Sequence, residues 1–269
     1  MRSDEALHLP LALSTPGRLR PFLRLALVGL VVFAADALTE SMSHRGLVLS
    51  AWIVTAIRVV SASVILRYPL AGFVFALEVD KWDWFWLGMP DLGDAGQTWY
   101  QEWDKVLDLV TLGAAAYVAS RWVDPLARRI AIGMFVYRVI GVALFSATQE
   151  RWLLIVFPNV FETMFLLYLI FRVLTGRTEM IPDRGTATLV MLALLLPKVG
   201  QEVFLHGLEA RPWHMWRLLP WPHADAWLWG IALYALPLAA LVMLVWTSEG
   251  RATRRDPETH LEAPGLPGA

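Results

Sequence analysis

The chain has 269 residues, of which 57% are hydrophobic and only 17% charged, with 14 tryptophans and a net charge of −1. A soluble domain of this length is nearer half apolar and a quarter charged, so the surplus apolar surface has to be shared with lipid. The balanced charge excludes nucleic acid as a partner, which needs a basic face. The lack of cysteine excludes disulfides, thiolate nucleophiles, iron–sulfur clusters and cysteine-type zinc sites.

Residues 1–21 and 247–269 carry Pro, Gly and charge without an apolar period, and read as disordered cytoplasmic tails flanking a transmembrane domain at 22–246. A helix needs roughly 20 apolar residues to cross the hydrocarbon core. Eight stretches meet or approach that length: 22–39, 46–66, 68–89, 103–120, 130–148, 152–174, 187–206 and 226–246. The first follows a basic segment and resembles a signal peptide in outline, but the preceding region is over twenty residues long, which favours an uncleaved anchor. Cleavage would leave seven spans.

The third stretch is cleanly apolar only over 68–77 and either spans or turns back. Eight crossings with the N-terminus inside place thirteen Arg and Lys on the cytoplasmic side against six outside, whereas a re-entrant third segment gives nine against ten. The expected fold is therefore all-α, a polytopic integral membrane bundle of about eight transmembrane helices (seven to eight) with both ends cytoplasmic. The inner membrane of a prokaryotic cell is the expected location.

Ionisable groups at membrane depth cost a few kcal/mol each and so face a partner or a wet cavity. Arg58 lies mid-way along the second span with Thr55 and Ser61 about a turn to either side, and Arg138 is its counterpart in the fifth. In the sixth, Pro158 predicts a kink, with Asn159 and Glu162 three apart on one face. In the seventh, Lys198, Glu202 and His206 follow at i, i+4 and i+8 next to Pro197. Either these charges form salt bridges that hold the bundle, with Arg58 and Arg138 neutralised by Glu162, Glu202 or Asp108, or they line a cavity for a ligand or ion, as proline-broken helices do in transport proteins.

The stretch "YQEWDKVLDL" (100–109) opens the fourth span with Tyr100, Glu102, Asp104, Lys105 and Asp108. Asp104 and Asp108 share a helix face with Tyr100, and Asp80 and Asp83 share one if the third segment stays helical. These four aspartates, all expected at the outer mouth, make an oxygen-rich set of the kind that hard divalent cations prefer. The plainer alternative is a solvated turn, in which acids near a helix N-terminus answer the dipole and Lys105 pairs with Glu102 or Asp108.

The pairs Asp80/Asp83 and Asp104/Asp108 resemble, in mutual spacing, the acids of the CDP-alcohol phosphatidyltransferases, whose motif is D-x2-D-G-x2-A-R-x8-G-x3-D-x3-D. The resemblance covers under 30 residues. Trp84 stands at the glycine of that motif, Leu87 and Gly88 at its Ala-Arg, and Tyr100 at its later glycine, while the gap between pairs is three residues longer. It implies metal ions held by the aspartates and activation of a lipid alcohol, on a site that faces the cytoplasm in that family.

His44, His206, His214 and His223 fall on the outer side without HxxxH or HExxH spacing, so zinc and haem are not expected. The Trp-rich segments 81–86 and 207–227 read as headgroup-level belts. No G-x-S-x-G elbow occurs. The functional expectation is binding or passage of a small polar or cationic ligand, with Asp80, Asp83, Tyr100, Asp104, Lys105 and Asp108 at the mouth and Arg58, Arg138, Asn159, Glu162, Lys198, Glu202 and His206 within. The alternatives are a metal-dependent enzyme acting on lipid headgroups, and a non-catalytic subunit or assembly factor in an oligomer or larger membrane complex. No cofactor is expected beyond a divalent cation; the expected partners are the bilayer and a lipid headgroup or small polar ligand.

Overall fold

A computed structural model describes residues 21–30, 34, 48–88, 93–203 and 224–255. Helices and their connecting turns account for all of them, with no strand among the described residues. In chain order the helices are α1 (Pro21–Leu30), α2 (Ala51–Ile65), α3 (Pro69–Trp86), α4 (Gly93–Ala119), α5 (Pro125–Thr148), α6 (Trp152–Val156), α7 (Val160–Thr175), α8 (Arg184–Glu202) and α9 (Ala224–Arg255). The chain is all-α.

Two stretches of 24 residues, Pro125–Thr148 and Trp152–Thr175, are long and apolar enough to cross a membrane by length and composition. Among the described residues, the other expected spans do not meet that test. Helix α2 has 15 residues, and the apolar part of α9 is confined to Leu233–Ser248. Helix α3 is continuous through Trp86 and so does not turn back at residue 77, yet it carries Glu78, Asp80, Lys81 and Asp83. Two boundaries differ from expectation. Helix α4 begins at Gly93, ten residues ahead of 103, and α9 continues to Arg255, so 247–255 is helix where a disordered tail was expected. His206 and the loop from 207 to 223 lie outside the described residues.

Helices α2, α3 and α4 pack as one group, α7, α8 and α9 as another, and α5 joins them by packing on α4 and α7. Helix α7 is central. The Trp152–Thr175 stretch that contains it is about twice as buried as Pro125–Thr148, and Phe161, Met164, Phe165, Tyr168 and Phe171 are sealed inside the main core. Trp122 stacks on Tyr168 with centroids 3.7 Å apart and on Phe165 at 5.8 Å. A second core of Val54, Val79, Trp82, Trp86 and Leu87 closes one end of the α2–α3–α4 group. Large apolar side chains point outward on several helices, among them Trp52 and Val60 on α2, Leu189 and Leu196 on α8, and Val242 and Trp246 on α9.

Local chemistry sets the joints. Gly72 passes so close to α2 that a Cβ there would lie 2.6 Å from the Ile65 nitrogen and 2.7 Å from the Val64 carbonyl carbon, which makes the α2–α3 turn a glycine position. Pro125 occupies the first turn of α5, where its missing N–H costs nothing, and Asp124 caps it. One Asp124 oxygen accepts from the N–H groups of Leu126 (3.0 Å) and Ala127 (2.9 Å), the other from Met180 and Ile181 (2.8 Å each). A single buried carboxylate thus starts α5 and fastens the segment between α7 and α8 to it.

The kink expected at Pro158 is a full break between α6 and α7. Proline cannot donate to the helix ladder, so the turn before it opens and releases carbonyls. Helix α5 takes them up: the Tyr137 hydroxyl donates to Val156 O (2.6 Å) and Arg138 Nη1 donates to Phe157 O (2.7 Å). Gly141, one turn along from Tyr137, leaves room for the Phe157 side chain, which any Cβ at 141 would strike.

Asp124→Ala removes the acceptor of four backbone N–H groups, and thermal or denaturant unfolding is expected to show a loss of roughly 2–4 kcal/mol. Gly72→Ala is expected to cost about 1–3 kcal/mol by overpacking, whereas Gly133→Ala, with open space at its Cβ, is expected to be close to neutral.

Candidate functional site

The three-residue spacing on α3 puts Asp80 and Asp83 on one face, and the four-residue spacing on α4 does the same for Asp104 and Asp108. Both faces turn toward Arg58 of α2, whose side chain is 2% exposed. Its Nη1 bonds Asp80 and Asp83 and lies 3.6 Å from Asp104, and its Nη2 donates to Asp108 at 3.0 Å. A planar guanidinium presents its donors in a fixed fork, which lets one cation hold carboxylates from two helices.

Bonds from Tyr100 and Lys105 steady this cluster. The Tyr100 hydroxyl donates to Asp83. Lys105 Nζ donates to Asp104 at 2.5 Å and to Asp108 at 3.4 Å. The Trp103 indole donates to Thr55 Oγ1 at 3.1 Å, tying α4 to α2, and Tyr100 meets Trp84 edge-on with centroids 4.8 Å apart. Asp83 is fully buried and Asp104 nearly so, while the Asp80 side chain is 39% exposed. The cluster is therefore closed behind Asp83 and open at Asp80.

One oxygen each from Asp80, Asp83 and Asp104 lies within 4.8 Å of the others, close enough to share a cation. Four carboxylates face two side-chain cations, Arg58 and Lys105, leaving two negative charges in excess when all are ionised. Burial makes that excess costly, so the site favours an added positive charge or added protons.

Several expectations are revised by this geometry. The stretch 100–109 lies inside α4 and not at its start: Asp104 is about three turns beyond Gly93, too far for the helix dipole to explain it. Arg58 and the four aspartates, expected as separate interior and mouth groups, form one cluster. Arg58 pairs with Asp108, as one of the offered pairings had it, and with three further acids. Thr55 and Ser61 bond backbone carbonyls at 2.7 and 2.8 Å and not the guanidinium. Glu102 accepts from Gln149 at 2.7 Å and stands apart from Lys105 in hydrogen bonding. Arg138 donates to the Phe157 carbonyl in place of a carboxylate.

The remaining polar residues gather around the α6–α7 break. Asn159 Nδ2 donates to Glu162 at 2.9 Å, as their spacing predicts. Lys198 lies within electrostatic reach of Glu162, Glu202, Tyr234 and Arg138. Arg138 also acts on Lys105 and Asp108 from the other side, so it stands between the two polar groups. Asp124, Thr163 and Tyr234 were not singled out in the sequence. The Asp-Pro pair at 124–125 is a readable helix start, but nothing local marks the other two.

The chain matches no protein-family model, no curated protein and no solved structure.

Arg58→Ala strands four carboxylates, and unfolding of the purified protein is expected to show a loss of about 3–5 kcal/mol. Adding Asp83→Asn is expected to return part of it, with a coupling of about 1–3 kcal/mol in the double-mutant cycle. Additive losses would mean that Arg58 and Asp83 are not coupled.

Proposed function

We propose that this chain is a multi-pass integral membrane protein, with both ends on the cytoplasmic side, that binds or passes a small cationic ligand at the cluster of Asp80, Asp83, Asp104 and Asp108. The carrying observation is the buried charge excess: four carboxylates against Arg58 and Lys105, with three acid oxygens within 4.8 Å of one another. Membrane residence is supported by the two apolar 24-residue stretches and by the inverted distribution of side chains. Arg58, Asp83, Asp104, Arg138, Asn159 and Glu202 are buried, while Trp52, Val242 and Trp246 face outward. A water-soluble surface would not expose apolar groups on so many helices.

The cluster can take a cation in two ways. A metal ion or ammonium group can share Asp80, Asp83 and Asp104, with Arg58 withdrawing toward Asp108, or protons can neutralise the carboxylates. Asp80 is the way in, being the exposed member.

The same three oxygens favour a second reading, a metal-dependent enzyme acting on lipid headgroups. In it Asp80, Asp83 and Asp104 would hold the metal, and Asp108, one turn from Asp104, would accept a proton from a lipid alcohol. Arg58 and Lys105 would then hold Asp108 in place.

Thermal unfolding of the detergent-purified protein with Mg²⁺, Mn²⁺ and Ca²⁺ separates these ideas from a purely structural cluster. Stabilisation by a cation is expected in the wild type and is expected to fall at least tenfold in apparent affinity in Asp104→Asn. No cation-specific shift in the wild type sinks both readings. Metal-dependent lipid turnover that disappears in Asp108→Asn, with metal binding retained, favours the enzyme over the transporter. Labelling of an Asp94→Cys variant of this cysteine-free chain is expected from the outside only; labelling from the cytoplasm alone overturns the orientation.

A further inference from the structure

About three turns of α4 beyond Asp108, the chain reaches an end of the protein that is rich in arginine. The end of α4 and the start of α5 bring Arg121, Arg128 and Arg129; the end of α7 and the start of α8 bring Arg172, Arg177 and Arg184. These two connections are fastened to each other. Asp124 accepts from the Met180 and Ile181 N–H groups, and Trp122 stacks on Tyr168, whose hydroxyl donates to Thr178 O at 2.9 Å. Arg128 Nη1 donates to Trp122 O at 3.3 Å, and the Arg172 guanidinium lies 6.0 Å from the centre of the Tyr168 ring. Arginines from both connections thus flank one aromatic stack.

The acids of the same connections are Asp124, Glu179 and Asp183. Asp124 is enclosed, with its oxygens taken by four backbone N–H groups, and Asp183 caps α8 by accepting from Thr186 N and Oγ1. Six guanidiniums meet three carboxylates, so positive charge is in excess here. Beside it runs an apolar stripe. Val106, Val110 and Tyr117 are exposed and recur at four and seven residues on one face of α4, with Arg121 a turn further on. The Arg121 guanidinium lies over the Tyr117 ring at 3.7 Å, and Val123 is exposed next to it. At Gly113, between Val110 and Tyr117, the surface is open. From Val106 to Tyr117 the stripe is about 16 Å long, roughly half the thickness of a bilayer's hydrocarbon core.

We propose that this end of the protein binds an anionic phospholipid, with the headgroup phosphate at Arg121 and Arg128 beside the Trp122–Tyr168 stack and an acyl chain along the Val106–Val110–Tyr117 stripe. A guanidinium offers paired donors to phosphate oxygens, and basic groups at one end of a helix bundle recruit acidic headgroups. An apolar stripe that runs into a cationic group matches a molecule that is itself apolar with an anionic tip, and so a lipid fits it better than a soluble phosphate. The inference rests on the membrane reading above, whose orientation puts these arginines at the cytoplasmic leaflet. It does not depend on the carboxylate cluster.

The test is thermal unfolding of the full chain in a neutral detergent with added phosphatidylglycerol or phosphatidylcholine of the same acyl chains. Phosphatidylglycerol is expected to raise Tm saturably by about 2–4 °C over phosphatidylcholine. Arg121→Gln and Arg128→Gln are each expected to weaken its apparent affinity about fivefold, whereas Lys81→Gln, which removes a positive charge beside the carboxylate cluster, leaves it unchanged. Val110→Ser keeps every charge, is expected to weaken it about threefold, and carries the test if the arginine variants fail to fold. Equal Tm in the two lipids overturns the proposal. So does an equal loss in Lys81→Gln, which would make the attraction one of net charge, and so does an equal gain from inorganic phosphate, which has no chains. The membrane reading is checked apart from this: the chain is expected to stay with phosphatidylcholine vesicles through an alkaline wash. Release from them overturns membrane residence and this inference with it; retention without a preference for phosphatidylglycerol overturns this inference alone.

Discussion

A guanidinium enclosed by protein has to find its counter-charges there, and the α2–α3–α4 group is organised by that requirement at Arg58. Its two terminal nitrogens reach carboxylates on both neighbouring helices, so the rotation of α3 and α4 about their axes is set relative to α2. The Tyr100 bond to Asp83 and the Trp103 bond to Thr55 follow from that rotation, since both donors lie on the face of α4 that the acids turn inward. Breaking such a pair from one side is costly because the stranded charges cannot reach water. The arrangement over-supplies negative charge, however, and stability alone would be served by fewer acids.

The other half of the protein solves a different problem. A proline in the central helix frees carbonyls in a place where water is scarce, and backbone groups left unpaired there cost several kcal/mol each. Tyr137 and Arg138, adjacent on α5, each answer one carbonyl, and Gly141 lets the loosened segment sit close enough for them to do so. Arg138 is thereby occupied with the backbone, and what it contributes to Asp108 on one side and Lys198 on the other is field and not contact. The two polar groups are electrically in touch through it.

How much of this was legible in the sequence follows from what each signal measures. Apolar runs measure affinity for lipid, so they located α5 and the α6–α7 stretch well. They misplaced the start of α4, because "GDAGQTWYQE" has no apolar run although Trp99, Tyr100 and Trp103 anchor it by ring contacts. They also ended α9 early, since "TSEGRATRR" is polar but is carried on as helix. Spacing along one helix told correctly which acids share a face. It could not tell which arginine on another helix they would meet, so Arg58 and the four aspartates were read apart. Pro158 announced an interruption, and Asn159 with Glu162 formed the pair their spacing required; the carbonyls that claim Arg138 exist only because of the break, and no residue code marks them.

On the proposed cation reading, the uneven cover over the four aspartates divides their roles in time. Asp80 meets the surroundings while Asp83 is sealed, so a cation arriving from outside encounters the first well before the second. Charge at the open position steers approach and governs how often an encounter succeeds, whereas contacts at the closed end must be undone before departure. Within one cluster, arrival would be controlled from Asp80 and residence from Asp83, and a single buried arginine lies between the two clocks.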